Sequence, residues 1–296
     1  MDVRALSIRT DDGVTLAGEE SGGPPMRNAQ DAAVETAAAS DAAAPIVLLH
    51  GLTATRRYVV MGSRLLERAG HRVIAYDARG HGRSSAAPDP SAYGYERLAR
   101  DLETVMDALG LRRVALAGAS MGAHTLVRFA LDHPQRVAAL GIVTPAYDPA
   151  APPEGDRDAL ARGLREGGVE GFLAAYDFSS VPPRWRETVE KVVRQRLSAH
   201  DHPEAVADAL VVVPRSRPFE DFGELGAIAV PTVVVASRDE VDPGHPLALA
   251  QRYAAAIAGA QLVVEDGGPP ARSPIAWQGG QLSKVLLELL ERVRAG

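Results

Sequence analysis

The chain has 296 residues, 46% of them hydrophobic, a formal net charge of −6 and no cysteine. That length and apolar content bury one large core with room for a small accessory domain, which excludes a disordered chain. The acidic balance, without any run of Lys or Arg, argues against a nucleic-acid partner, and the absence of cysteine removes disulfides, thiolate metal sites and a thiol nucleophile. The opening MDVRALSIRT has no basic segment followed by an apolar run, and later apolar stretches are short. The expectation is a soluble cytoplasmic protein with no membrane partner.

In chain order, Val3 to Arg9 and Val14 to Glu19 read as an antiparallel strand pair turned at Asp12-Gly13. Ser21 to Ala44 is rich in Ala, Gly and small polar residues, the composition of a mobile surface insertion without chemistry. Ile46 to His50 and Arg72 to Tyr76 are apolar runs without alternation, as strands covered on both faces require. Tyr95, Leu98, Ala99, Leu102, Val105, Met106 and Leu109 keep helical spacing until Gly110 stops them. Strands follow at Val114 to Ala117 and Ala138 to Val143, separated by a helix ending near Pro134.

Pro149 to Pro214 carries helical patterns such as Trp185, Val189, Val192, Val193 and Leu197 but no strand. Strands resume at Thr232 to Ala236 and Gln261 to Glu265, and Leu282, Val285, Leu286, Leu289, Leu290 and Val293 form a last amphipathic helix. This alternation predicts an α/β class, a doubly wound sheet with helices on both faces. The expected division is a core over residues 1–146, with 21–44 as the insertion, a helical cap over 147–215, and the rest of the core over 216–296.

The motif that carries chemistry is Gly118-Ala119-Ser120-Met121-Gly122, directly between a strand and a helix. A sharp strand-to-helix turn leaves no room for side chains two positions either side of the serine, and it pushes the hydroxyl out at the carboxyl edge of the sheet. Two further stretches follow apolar strands: His50-Gly51-Leu52-Thr53, and Tyr76-Asp77-Ala78-Arg79-Gly80-His81-Gly82-Arg83-Ser84.

With Asp239 after the strand TVVVAS, these motifs resemble the α/β-hydrolase family, in its cap-bearing esterase, lactonase and haloperoxidase-like branch. The resemblance spans nearly all the chain except the insertion and the cap. It implies an α/β-hydrolase fold: a mostly parallel eight-stranded sheet with a helical cap. It also implies Ser120 as nucleophile, the backbone N–H groups of Leu52 and Met121 as oxyanion donors, and Asp239 as the acid. Glu240 and Asp242 compete with Asp239, since SRDEVDP offers three carboxylates. In that family His50 would shape the oxyanion loop and His81 would belong to a structural turn.

One part of the pattern is missing. The family's base histidine follows the last strand, roughly 25 to 30 residues after the acid, which falls here on Asp266-Gly267-Gly268-Pro269, and no histidine occurs after His245. Losing that histidine from a serine triad costs on the order of a millionfold in turnover. Three answers stand. His245 serves as the base, six residues beyond Asp239, a span of at most about 20 Å; His200, His202 and His124 are weaker candidates. Alternatively Ser120 works with carboxylates such as Glu265 or Asp266. In the third answer, the fold binds a ligand or catalyses a lyase or cyclisation step.

Other chemistries fit poorly. No GxGxxG follows the first strand, and neither Lys191 nor Lys284 sits in a phosphate-binding loop. His200-Asp201-His202 is the tightest candidate for metal binding and reads as a helix-end turn, so neither metal nor cofactor is expected. The sequence therefore points to a hydrolase acting through an acyl-Ser120 intermediate on a small uncharged ester, lactone or amide. Phe172, Tyr176, Phe178, Trp185, Phe219 and Phe222 offer apolar surface on and beside the cap.

Overall fold

The structure is a computed structural model, and it describes residues 3–23, 44–151, 157–179, 181–238, 244–265, 277 and 280–295. The strands are β1 (Val3–Arg9), β2 (Thr15–Ser21), β3 (Ile46–Leu49), β4 (Val73–Tyr76), β5 (Val114–Ala119), β6 (Val137–Val143), β7 (Thr232–Ala236) and β8 (Gln261–Val264). The helices are α1 (Leu65–Arg68), α2 (Tyr95–Ala108), α3 (Met121–Asp132), α4 (Arg157–Ala175), α5 (Arg186–Leu197), α6 (Pro203–Val212), α7 (Leu247–Ala256) and α8 (Gln281–Ala295).

The strands form one eight-stranded sheet in the order β1-β2-β4-β3-β5-β6-β7-β8. β2 runs antiparallel to β1 and β4, and every pairing from β4 to β8 is parallel. The turn between β1 and β2 is closed by Gly13 at φ 89°, a conformation open to glycine without a Cβ clash. β2 ends two residues later than its sequence pattern suggests: Ser21, expected to open the insertion, pairs with both Val3 and Val73. Its hydroxyl also donates to Glu67. The insertion between residues 24 and 43 lies outside the described residues.

Successive strand residues feed opposite cores, which is why the central strands read as unbroken apolar runs. Val47, Leu49, Leu116, Leu140 and Val234 pack under α2, α3 and α7. Ile46, Leu48, Ala115, Ala117, Ala139 and Val235 pack under α1 and α8. The small side chains on this second face admit α8 closely; a Cβ at Gly141 would lie 2.7 Å from Leu286.

Among the described residues, the segment between β6 and β7 is helical. α4 is broken in the middle at Gly168 (φ 59°, ψ −143°), so its two limbs fold back on each other. They meet at backbone distance, for a Cβ at Gly163 would lie 2.3 Å from the Gly171 carbonyl oxygen. β3 lies between β4 and β5 in the sheet, so the chain passes from β3 to β4 on one side and then crosses back to β5 on the other. The connection reverses direction there, and the crevice that such a reversal opens at the carboxyl ends of the strands is where α/β sheets hold ligands.

Candidate active site

β5 ends at that crevice, and Ser120 takes the chain from strand to helix in one residue. Its backbone is at φ 49°, ψ −112°, a conformation costing a non-glycine residue about 1–3 kcal/mol. The turn is pinned by Ser120 N–H donating to the Val143 carbonyl (3.0 Å) and by His124 N–H donating to the Ser120 carbonyl (3.1 Å). The flanking glycines are sterically compelled. A Cβ at Gly118 would stand 2.5 Å from the Gly122 carbonyl carbon, and one at Gly122 would stand 2.3 Å from the Leu49 oxygen.

Ser120 is half-buried and lies on the wall of a cavity of about 1200 Å³, with Gly51, Leu52 and Met121 beside it. The loop after β3 turns at Thr53, whose φ is 63°. Neither the Leu52 nor the Met121 N–H has a hydrogen-bond partner among the described residues. The Met121 N–H also belongs to the first turn of α3, where the helix dipole favours negative charge.

Several histidines have ring nitrogens bonded to main-chain groups. His50 Nδ1–H donates to the Gly51 carbonyl (2.8 Å) and its Nε2 accepts the Ala78 N–H (2.9 Å). Burial pushes its pKa down to about 3. His81 Nδ1 bonds the Arg79 carbonyl at 2.9 Å, and burial likewise holds it well below the ordinary imidazole value. His200, on the turn between α5 and α6, accepts the Gly82 N–H (2.8 Å) and donates from Nε2 to the Thr53 carbonyl (3.1 Å). Burial lowers its pKa too. These three rings lie in a row at inclined angles, His81 having centroids 5.2 Å from His50 and 5.5 Å from His200.

His124 lines the cavity, but its Nε2 accepts the N–H groups of Ala146 (3.0 Å) and Tyr147 (3.1 Å). Burial, and secondarily the nearby His245, push its pKa down to about 3. A lone pair engaged by two backbone donors is not free to take a proton from serine. His202 precedes α6, 3.6 Å from Glu204. His245 is half-buried and lines the same cavity as Ser120. Asp239, Glu240, Asp242 and Asp266 lie outside the described residues. Glu265 accepts the Trp277 backbone N–H at 2.7 Å.

Of the six aromatic residues singled out in the sequence, Phe172, Tyr176 and Trp185 line the cavity. Phe178 packs at a tilt against Tyr176, centroids 4.7 Å apart. Phe219 and Phe222 instead face the core, packing edge to face against Tyr253 at 5.7 and 5.3 Å. Their sequence neighbourhood carries no periodicity that could tell these two directions apart. Tyr95, Arg157, Ser237 and Trp277 also line the cavity and escaped the sequence reading of the site. Tyr95 was legible as a buried helix position alone. The guanidinium of Arg79, which is 0% exposed, is held by Asp101 and Asp12, so the turn after β4 is a structural clasp. Among the described residues no three His, Asp or Glu side chains converge as metal ligands, and no helix is long and apolar enough to cross a membrane.

The sheet order, the crevice and the strained serine define an α/β-hydrolase, and comparison with known proteins agrees. The profile of the alpha/beta hydrolase fold family matches residues 44–178. RutD of Variovorax paradoxus (strain S110), provisionally named a carbamate hydrolase, is 34% identical over 78% of this chain and 85% of its own. A 2-hydroxy-6-oxononadienedioate/2-hydroxy-6-oxononatrienedioate hydrolase of Klebsiella pneumoniae is 31% identical over 83% of this chain and 87% of its own. Among solved structures, a thermophilic esterase from Thermogutta terrifontis superposes with TM-score 0.74 at 26% identity, covering 98% of this chain and 99% of that one. The chain belongs to the α/β-hydrolase family and is a hydrolase.

Proposed function

We propose that this hydrolase cleaves a small ester, lactone or amide, uncharged at its reacting group, through an acyl-Ser120 intermediate. The Ser120 oxygen attacks the carbonyl carbon while its proton passes to the His245 imidazole, and the N–H groups of Leu52 and Met121 hold the resulting oxyanion. Collapse of the tetrahedral intermediate returns that proton to the departing alcohol or amine. Water, deprotonated by the same imidazole, then releases the acid. Asp239 orients the base, and residues 147–215 act as a cap over the cavity.

The observation that carries this reading is the strained Ser120 backbone on a cavity wall, with two N–H donors lining the same cavity that have no partner among the described residues. His245 is favoured as base because it lines the cavity with Ser120, as His50, His81, His200 and His202 do not, and because His124, which also lines it, has its Nε2 taken by two backbone donors. The absence of histidine after His245 favours a second reading, ligand binding or a lyase or cyclisation step.

Labelling with a fluorophosphonate separates the two. Wild type is expected to label and Ser120→Ala is not, while His245→Ala and Asp239→Asn each lower ester turnover by about 100-fold or more. Folded wild type that fails to label would transfer the assignment to the second reading. Full activity in His245→Ala would remove that histidine and leave the nucleophile standing.

A further inference from the structure

Two groups on the cavity wall have no part in the chemistry above. Tyr95, the first residue of α2, is 4% exposed and its hydroxyl lies 3.0 Å from His124 Nδ1. Proton counting fixes the direction of that bond. His124 Nε2 accepts two backbone N–H groups, so the single proton of the neutral ring is on Nδ1. Nδ1–H therefore donates to the Tyr95 oxygen, and the phenolic proton must point elsewhere. No acceptor for it occurs among the described residues, and a buried donor left unmet is costly. Both Tyr95 and His124 face the cavity.

Arg157, the first residue of α4, is half-buried and lines the same cavity. The other arginines there are engaged: Arg215 with Asp158, Arg217 with Glu220, and Arg252 with Asp148. Arg184 lies over Trp185 and Arg196 over Tyr58. Arg157 forms no ion pair among the described residues. Its charge reaches the Tyr95 hydroxyl, where it opposes the upward push of burial on the phenol. The acidic residues of the described wall do not compete for it, since Asp148 is held by Arg252 and Asp177 by Ser179.

Resting on the acyl-transfer reading, we propose that Tyr95 and Arg157 form a carboxylate subsite, so that the substrate is an ester, lactone or amide bearing a carboxylate away from the bond that is cleaved. The phenol donates to one carboxylate oxygen and the guanidinium supplies the countercharge, a charge-assisted pairing of the strong kind. His124 is then a positioning residue, turning the phenol outward. This departs from the wholly uncharged substrate that the sequence suggests.

The test has a binding arm and a turnover arm. Glutarate is expected to raise the melting temperature of wild type and Ser120→Ala alike, glutaramide to leave both unmoved, and Arg157→Glu to lose the glutarate shift. In turnover, wild type favours mono-4-nitrophenyl glutarate over 4-nitrophenyl pentanoate by about tenfold or more in kcat/KM. Arg157→Gln and Tyr95→Phe each cut that ratio, Arg157→Lys keeps most of it, and Arg157→Glu inverts it.

An unchanged ratio in Arg157→Glu, or no glutarate shift in wild type, overturns the subsite even if both esters are hydrolysed. A glutarate shift that depends on Arg157, with neither ester hydrolysed, would retain the subsite and overturn the acyl-transfer reading.

Discussion

The two walls of the cavity are built by different means. The wall formed by the ends of β3 and β5 is set by backbone: Ser120 at positive φ, Gly118 and Gly122 without space for a Cβ, and histidines whose ring nitrogens bond main-chain groups. The wall formed by α4, α5 and the turn before α5 is set by side chains such as Phe172, Tyr176 and Trp185. The first can hold a reacting atom within a few tenths of an ångström. The second can change residues, and with them the substrate, while the first stays put.

That contrast can be broken most severely at Gly122. Alanine there would set its Cβ 2.3 Å from the Leu49 oxygen and 2.8 Å from that of His50, with main chain on both sides. The expected loss exceeds about 4 kcal/mol, read as failure to recover folded protein or as a collapsed urea midpoint.

Acid offers the next largest effect. His50 and His124 have pKa values pushed down to about 3 by burial, and His81 and His200 are lowered by the same cause. As pH falls, the unfolded chain therefore takes up protons before the folded one. The stabilisation is complete above about pH 6.5 and is lost progressively as the pH drops toward about 3, by up to about 1.4 kcal/mol per histidine per pH unit. Urea midpoints from pH 7 to pH 4 should fall steeply; a flat profile would mean that these rings are not held neutral.

The smallest effect belongs to the opposite wall. A Cβ added at Gly167 would meet no atom within 4 Å, and this residue precedes the break at Gly168. Gly167→Ala should change stability by less than about 1 kcal/mol, in the stabilising direction. A loss as large as that at Gly122 would erase the distinction between the walls.

The same distinction explains how much of the molecule was legible in its sequence. The strands and helices around Ser120 were readable because burial on two faces leaves apolar runs and a sharp turn leaves glycine at fixed offsets. The loop after β3 was readable for a similar reason, as a short motif directly following a strand. What joins distant segments left no local mark. His200 reaches the loop of β3 across a separation of 147 residues, and nothing around it announces this. Tyr95 looked like an ordinary core position because its bond to His124 spans two helices. Phe219 and Phe222 were aromatic residues near the cap, and no pattern in one dimension said that they face Tyr253. Asp239 remains an expectation from the motif that precedes it.

The meeting of Gly163 and Gly171 has a consequence for capacity. Two helical limbs touching at main-chain distance stand several ångströms closer than limbs separated by leucine or methionine would. Leu160 on one limb and Phe172 on the other line the cavity, so exchanging this glycine pair for bulkier residues is expected to shift that part of the lining without touching Ser120.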